Sequence, residues 1–302
     1  MSTSNYFEVI IVGGSYAGLS AALALGRSLR NVLIIDNGLP CNRQTPYSHN
    51  FITQDGREPG DVIAEAKAQV LKYSSVKMVN ATAVKGEKLE NGFQITTPEG
   101  EDYKCRKLIF ATGVKDIIPN INGFSECWGI SVIHCPYCHG YEFKGQKTGI
   151  MANGENAVHL ASLVINLTKS LSILTTGKAN FNESQIQKLE KHKIKIIETE
   201  IQEIDHESGH LKNVIFSDGR QLPLDALYAA IPFMQHSAIP ASLGCEFTKG
   251  GHITTNSFHK TTTEGIFACG DCATMMRSVA NAVSSGNFTG AIVNKELADE
   301  AF

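Results

Sequence analysis

Phe7-Glu8-Val9-Ile10-Ile11-Val12-Gly13-Gly14-Ser15-Tyr16-Ala17-Gly18 starts as an apolar, β-branched run and ends in a cluster of small residues. Branched side chains favour a pleated surface, so Phe7–Val12 reads as a strand that stops at the glycines. Leu19–Leu29 then has helical composition, and Asn31–Ile35 is a second strand closed by Asp36. Strand, glycine turn, helix and strand make a βαβ unit. Its turn lets the backbone come close to a pyrophosphate at the helix N-terminus, and an acid about 20 residues onward bonds a ribose hydroxyl. Asp36 stands at that place, while Ser15 replaces the middle glycine of G-x-G-x-x-G.

The same grammar recurs. Lys147–Met151 reads as a strand, Ala152-Asn153-Gly154-Glu155-Asn156-Ala157 as its turn, the following residues to about Leu167 as a helix, and Leu171–Thr175 as the next strand. Between the two units, Asn91-Gly92 and Glu99-Gly100 separate short alternating runs, the pattern of a small antiparallel insertion. Leu108–Gly113 is a strand closing on Ala111-Thr112-Gly113, and Gly265–Asp271 closes on Cys269-Gly270-Asp271. The expected fold is therefore α/β, with two Rossmann-like dinucleotide-binding domains. The first is discontinuous, formed by residues 1–115 and 244–302 with the antiparallel β insertion, and residues 116–243 form the second.

With 302 residues, the chain is long enough for two domains with separate cores. A net charge of −3 with both signs interspersed argues against a nucleic-acid partner. Phe7–Leu25 is apolar, but no Lys or Arg precedes it and its glycines follow a nucleotide pattern, which argues against a signal peptide or a membrane span. A cytoplasmic protein is expected. Eight cysteines in a reducing compartment do not suggest a structural disulfide framework, so a C-x-x-C reads as redox, metal or haem chemistry.

That C-x-x-C lies in His134-Cys135-Pro136-Tyr137-Cys138-His139-Gly140-Tyr141-Glu142. Two thiols at this spacing can open and reclose a disulfide, and flanking histidines favour the attacking thiolate. The string also spells a c-type haem attachment site, but that chemistry needs export. Cys269 and Cys272 form a second C-x-x-C, yet they are far away in the chain and Asp271 accounts for their surroundings, so no metal site is expected. Cys105, Cys127 and Cys245 read as packing residues. For Trp128 and Tyr137, packing is preferred over a gating role, and Glu183–Lys193 reads as a solvated helix.

Taken in order, the first nucleotide motif, A-T-G, C-x-x-C, second nucleotide motif and G-D resemble the low-molecular-weight thioredoxin reductase family over essentially the whole chain. The Cys135–Glu142 string is closer to the branch containing the gliotoxin- and holomycin-type dithiol oxidases. The resemblance implies FAD as cofactor. Gly13, Gly14, Ser15, Ala17 and Gly18 would cradle its pyrophosphate, Asp36 its adenosine ribose and Asp271 its ribityl chain. Thr112 and Gly113 of the A-T-G, Asn50, and the helix start Arg277-Ser278-Val279 would line the flavin. Cys138 would face the flavin and Cys135 would exchange with substrate, with His139 taking the place of the family's proton-handling aspartate.

A homodimer acting on a thioredoxin-like protein or a small-molecule disulfide or dithiol is implied too. Reduction of a disulfide, oxidation of a dithiol with oxygen as acceptor, and redox sensing without steady turnover all remain open. The second nucleotide motif departs from the family. Ala152 replaces its first glycine, Thr175-Thr176-Gly177 replaces the cationic cluster that pairs with the 2′-phosphate of NADPH, and Pro232 stands at a customary glycine. Threonine cannot supply a bidentate phosphate clamp, so little discrimination between NADPH and NADH is expected, and either would be held weakly.

Overall fold

A computed structural model describes residues 5–302. The chain divides into two compact units, one comprising Met1–Arg43, Arg57–Lys115 and Phe233–Phe302, the other Gln44–Gly56 and Asp116–Pro232.

In the first unit, Tyr6–Val12 pairs in parallel with Val32–Asp36 on one side and with Asp102–Phe110 on the other. Val76–Asn80 extends the sheet beyond Val32–Asp36, and Ile266–Ala268 joins in parallel beside the end of Asp102–Phe110. Strand alternation then sends Val9 and Ile11 into a core with the flanking helices, and Ile10 and Val12 into a second core on the opposite face. The insertion is real but is not a separate sheet. Lys85–Leu89 and Gly92–Thr96 form an antiparallel hairpin that continues the main sheet, through pairs such as Phe93 with Cys105. Asp102–Phe110 is long enough to serve both, its first half pairing with the hairpin and its last residues with Ile266–Ala268.

The helix Tyr16–Arg27 follows the first strand, and Val279–Asp299 crosses it. The crossing is made of small residues. A Cβ added to Gly286 would collide with the carbonyl oxygen of Ala17 and lie 2.8 Å from its carbon, and one on Gly290 would lie 3.0 Å from Ala24 Cβ. Backbone therefore rests on backbone, with no room for a side chain.

The second unit holds a five-stranded parallel sheet in the spatial order Lys195–Ile197, Leu171–Leu174, Thr148–Met151, Ala226–Ala229, Val132–Ile133. A three-stranded antiparallel sheet, Ile201–Glu207, His210–Phe216 and Gln221–Pro223, packs Ile204, Leu211, Val214 and Phe216 into a core with Phe124 and Trp128. The helix after Thr148–Met151 runs from Gly154 to Val164, so the expected turn is shorter than Ala152–Ala157 and the helix ends before Leu167. Its N-cap is Asn153, which ends the turn two residues after the strand. Glu183–Lys191 is helical, opened by a capping box between Asn182 and Gln185. No helix among the described residues is long and apolar enough to cross a membrane.

Gly286→Ala should cost about 1–3 kcal/mol of stability, because the new methyl must push two helices apart. Gly60→Ala, where nothing lies within 4 Å of the added carbon, should be neutral or stabilising by about 0.4–1 kcal/mol. Chemical denaturation of the two variants side by side measures the difference, and equal effects would contradict this account of the crossing.

Candidate active site

In the first unit, the turn after Tyr6–Val12 sits at the C-terminal ends of the parallel strands, where α/β sheets bind ligands. Gly13 adopts φ 105°, and a Cβ there would lie 2.7 Å from the Ala111 carbonyl carbon and 3.2 Å from the Thr112 nitrogen. This contact brings the glycine turn against the A-T-G. The Gly14 amide donates to Asp36 Oδ1 at 2.8 Å, fixing the acid beside the turn. Ser15 is the N-cap of Tyr16–Arg27 yet makes no side-chain capping bond, so no side chain of that residue covers the helix's first amides.

Gly270 meets Ala17 from the other side, since its added Cβ would lie 2.9 Å from that methyl. Asp271 and Arg277 face each other, Arg277 Nε lying 3.7 Å from Asp271 Oδ2, while Arg277 Nη2 lies 3.4 Å from Cys41 Sγ. Ser278 caps Val279–Asp299 by accepting from the Asn281 amide. A glycine turn, a helix N-terminus uncovered by its N-cap side chain and an acid at the next strand end fit the pyrophosphate and ribose of FAD. Gly13, Gly14, Ser15 and Asp36 would hold that half, with Asp271 and the Arg277–Val279 segment beyond. Asn50 belongs to the second unit, where it adopts φ 60° and its amide donates to Asp55 Oδ1 at 2.7 Å.

The redox motif lies in the second unit. Cys135 and Cys138 are joined in a disulfide with Cα atoms 5.3 Å apart. The motif follows the edge strand Val132–Ile133, whose partner residues are Leu227 and Tyr228. Pro136–His139 forms one helical turn with Cys135 as its N-cap, and proline suits the first helical position because it has no amide to satisfy. Cys138 and His139 both donate their amides to the Cys135 carbonyl. Gly140 closes the turn against Tyr228, whose hydroxyl would lie 3.0 Å from an added Cβ.

Around this turn, His49 lies between two carboxylates, with Nε2 3.5 Å from Glu142 Oε1 and Nδ1 3.8 Å from Asp55 Oδ1. Burial first, and the nearby His49 second, push His139 down from 6.5 to about 4. The imidazole is therefore neutral at pH 7 and a weaker base than an ordinary histidine. Tyr137 and Tyr141 are exposed, so packing does not describe Tyr137, whereas Trp128 is buried and stacks on Phe124 at 5.8 Å between ring centroids. The Trp128 indole donates to Asp116 Oδ2 at 3.3 Å and its ring lies 6.2 Å from that of His134. Cys105, Cys127 and Cys245 are buried in the cores. Cys269 and Cys272 are buried thiols, and desolvation pushes both up, Cys272 to about 11, which leaves them poor nucleophiles at neutral pH.

Sequence reasoning did not single out Glu142 or Asp55. Glu142 lay inside the quoted redox string but carried no distinguishing signal, and only the folded turn brings both carboxylates to His49.

The pyridine nucleotide-disulphide oxidoreductase family matches residues 7–286. The chain belongs to this family. A thioredoxin reductase of Claviceps purpurea, tcpT, is 30% identical, with 98% of this chain and 96% of that protein covered. Among solved structures, an oxidoreductase from Agrobacterium tumefaciens is 36% identical with a TM-score of 0.91, covering 97% of this chain and 99% of the other. A thioredoxin reductase TrxB from Bacillus anthracis, described as putative, is 31% identical with a TM-score of 0.93, covering 98% and 100%. As a member of the family, the chain is an FAD-dependent disulfide oxidoreductase of the two-Rossmann-domain type.

His139 sets a pH dependence. Its folded-state value lies below the ordinary 6.5, so the unfolded chain binds the proton more readily, and the stabilisation present above pH 6.5 is lost as pH falls toward about 4. His139→Asn should flatten the decline of unfolding free energy across that window relative to the parent, as read by denaturant titration at stepped pH. Identical slopes would show that His139 is not held neutral.

Proposed function

We propose that the enzyme exchanges electrons between its flavin and a disulfide-bearing substrate through Cys135 and Cys138, with a thioredoxin-like protein or a small-molecule disulfide as partner. The observation that carries this reading is the Cys135–Cys138 disulfide on a half-buried helical turn beside a neutral His139. FAD supplies the two-electron carrier. Cys135, at the N-cap, takes the part of the exchanging thiol, and Cys138, one residue from His139, the part of the flavin-facing thiol. His139 stands beside Cys138 in the proton-handling place, where its low basicity lets it carry a proton only in passing between thiol and solvent.

His49, held by Asp55 and Glu142, adds an ionisable group whose charge bears on His139. Exposed Tyr137 and Tyr141 offer aromatic surface beside the disulfide to an apolar part of the substrate. The buried thiols Cys105, Cys127, Cys245, Cys269 and Cys272 support a reducing, cytoplasmic setting, and the family resemblance supports a homodimer. Sedimentation of the FAD-loaded protein tests the dimer.

Cys138→Ser should accumulate a mixed disulfide between Cys135 and an added disulfide or thioredoxin-like substrate, since the resolving thiol is gone, and Cys135→Ser should not. Both should lose turnover by at least about a thousandfold while keeping FAD, because a hydroxyl cannot enter the exchange. Intact-mass analysis after trapping, with the flavin spectrum of the same samples, reads both. Trapping on Cys138 instead would reverse the two roles, and undiminished turnover in either variant would sink the reading.

Asp271→Ala should weaken FAD retention by about 1.5–3 kcal/mol, the scale of a lost charge-assisted hydrogen bond. Equilibrium dialysis against apoprotein checks this, and unchanged affinity would remove Asp271 from the flavin site.

A further inference from the structure

In a βαβ nucleotide module, the dinucleotide spans from the helix N-terminus, which takes the pyrophosphate, to the end of the following strand, which takes the ribose. In the second unit those points are the turn before Gly154–Val164 and the loop after Leu171–Leu174. One side chain bridges them. Asn153 Oδ1 accepts from the Gly154 amide at 2.8 Å and from the Asn180 amide at 2.8 Å, while its Nδ2 donates to the Lys178 carbonyl at 2.9 Å.

The loop is held from behind as well. The Gly177 amide donates to the Glu198 carbonyl at 2.8 Å, and the Ala179 amide donates to Glu198 Oε1 at 2.7 Å. Thr175 Oγ1 donates to the Gly177 carbonyl at 2.7 Å. The approach is close enough that a Cβ on Gly154 would lie 3.2 Å from the Asn180 carbonyl oxygen.

The motif register places Asn153 where the first module has Gly14, between the first and second positions of G-x-G-x-x-G/A. In the first module no side chain is present at that position, and Asp36 and Met78 reach the turn from neighbouring strands. In the second, a carboxamide occupies the gap, satisfies an amide that a phosphate would otherwise meet, and fastens the loop across the ribose position. Glu198, just after the strand Lys195–Ile197, sets a carboxylate against the same loop, unfavourable to a nucleotide phosphate. The residues present do not fit a nicotinamide dinucleotide.

We propose that Asn153 is an internal lock filling the nucleotide cleft of the second module, so that this module binds neither NADPH nor NADH and serves as the scaffold for the Cys135–Cys138 turn. The lock is distinct from the missing cations at Thr175-Thr176-Gly177. Restoring cations alone would not open the cleft, because the loop bearing them is tied to the turn.

The test uses FAD-loaded protein with its disulfide intact, titrated anaerobically with NADPH and with NADH in a calorimeter. The parent protein should give no saturable heat up to about 1 mM of either, and Asn153→Gly should gain at least about tenfold in NADH affinity. Amide hydrogen exchange supplies a readout free of nucleotide. The Gly154 and Asn180 amides should be protected in the parent and exchange at least about tenfold faster in Asn153→Gly.

Saturable binding of either nucleotide to the parent at micromolar concentration overturns the lock, and so do freely exchanging amides in the parent. A folded Asn153→Gly that gains no affinity does the same. If that variant does not retain FAD, Asn153→Ser, which keeps a cap but cannot reach Lys178 and Asn180 together, takes its place. Reduction of the Cys135–Cys138 disulfide by dithiothreitol in the same samples reports separately on the thiol–disulfide chemistry, so loss of one result leaves the other legible.

Discussion

Two helices in the first unit meet with no side chain between their backbones, where Gly286 rests on the carbonyl of Ala17. Much of that unit's ligand-binding end follows from this contact. Ala17 lies in the first turn of the helix that opens at Ser15, and Gly270 approaches the same residue from the segment carrying Asp271. The crossing therefore draws the start of the first helix, the Gly270–Cys272 turn and the long C-terminal helix into one packed cluster. Dense packing transmits displacement, so a larger residue at the crossing would be felt at the glycine turn as well as in the core. Lys107, buried in the sheet strand, pairs with Glu296 and Glu300 and anchors the far end of the same helix.

The redox turn is built more economically. It hangs on the C-terminal end of an edge strand and rests against Tyr228, and it leaves Tyr137 and Tyr141 exposed. Its electrostatics come from a loop distant in sequence. His49 bears on His139 while lying between Asp55 and Glu142, so the protonation of the group beside Cys138 is tied to residues brought together by the fold.

The two nucleotide modules make an internal comparison. They share strand, turn and helix but no residue of the six-residue turn, and the difference that bears on the cleft is Gly14 in the first and Asn153 in the second. At the glycine, Asp36 and Met78 close on the turn from neighbouring strands; at the asparagine, one carboxamide oxygen accepts from amides on both sides. Because a buried or bridged hydrogen bond already made must be broken before a ligand can replace it, a single carboxamide is enough to change what a module of this kind can hold.

Local chemistry made much of the protein readable from its residues. Apolar runs ending in glycine clusters, Asp36 and the order of motifs determined two βαβ modules and a flavin-type site, because strand periodicity and turn chemistry act over a few neighbouring residues. The Asn91-Gly92 turn was legible for the same reason. Joining of the hairpin to the main sheet was not, since it depends on Asp102–Phe110 being long enough to serve two partners. The Ile201–Pro223 sheet was missed because its strands are half polar and its pairing shifts register between Ile201 and Glu203 and between Asp205 and His206, which breaks the alternation.

Cys135 and Cys138 declared themselves by spacing, but the neutral state of His139, the carboxylates at His49 and the closure of the second cleft by Asn153 were decided only by tertiary structure. Each depends on burial or on contacts between segments far apart in the chain, where desolvation and hydrogen-bond geometry outweigh any preference a residue carries on its own.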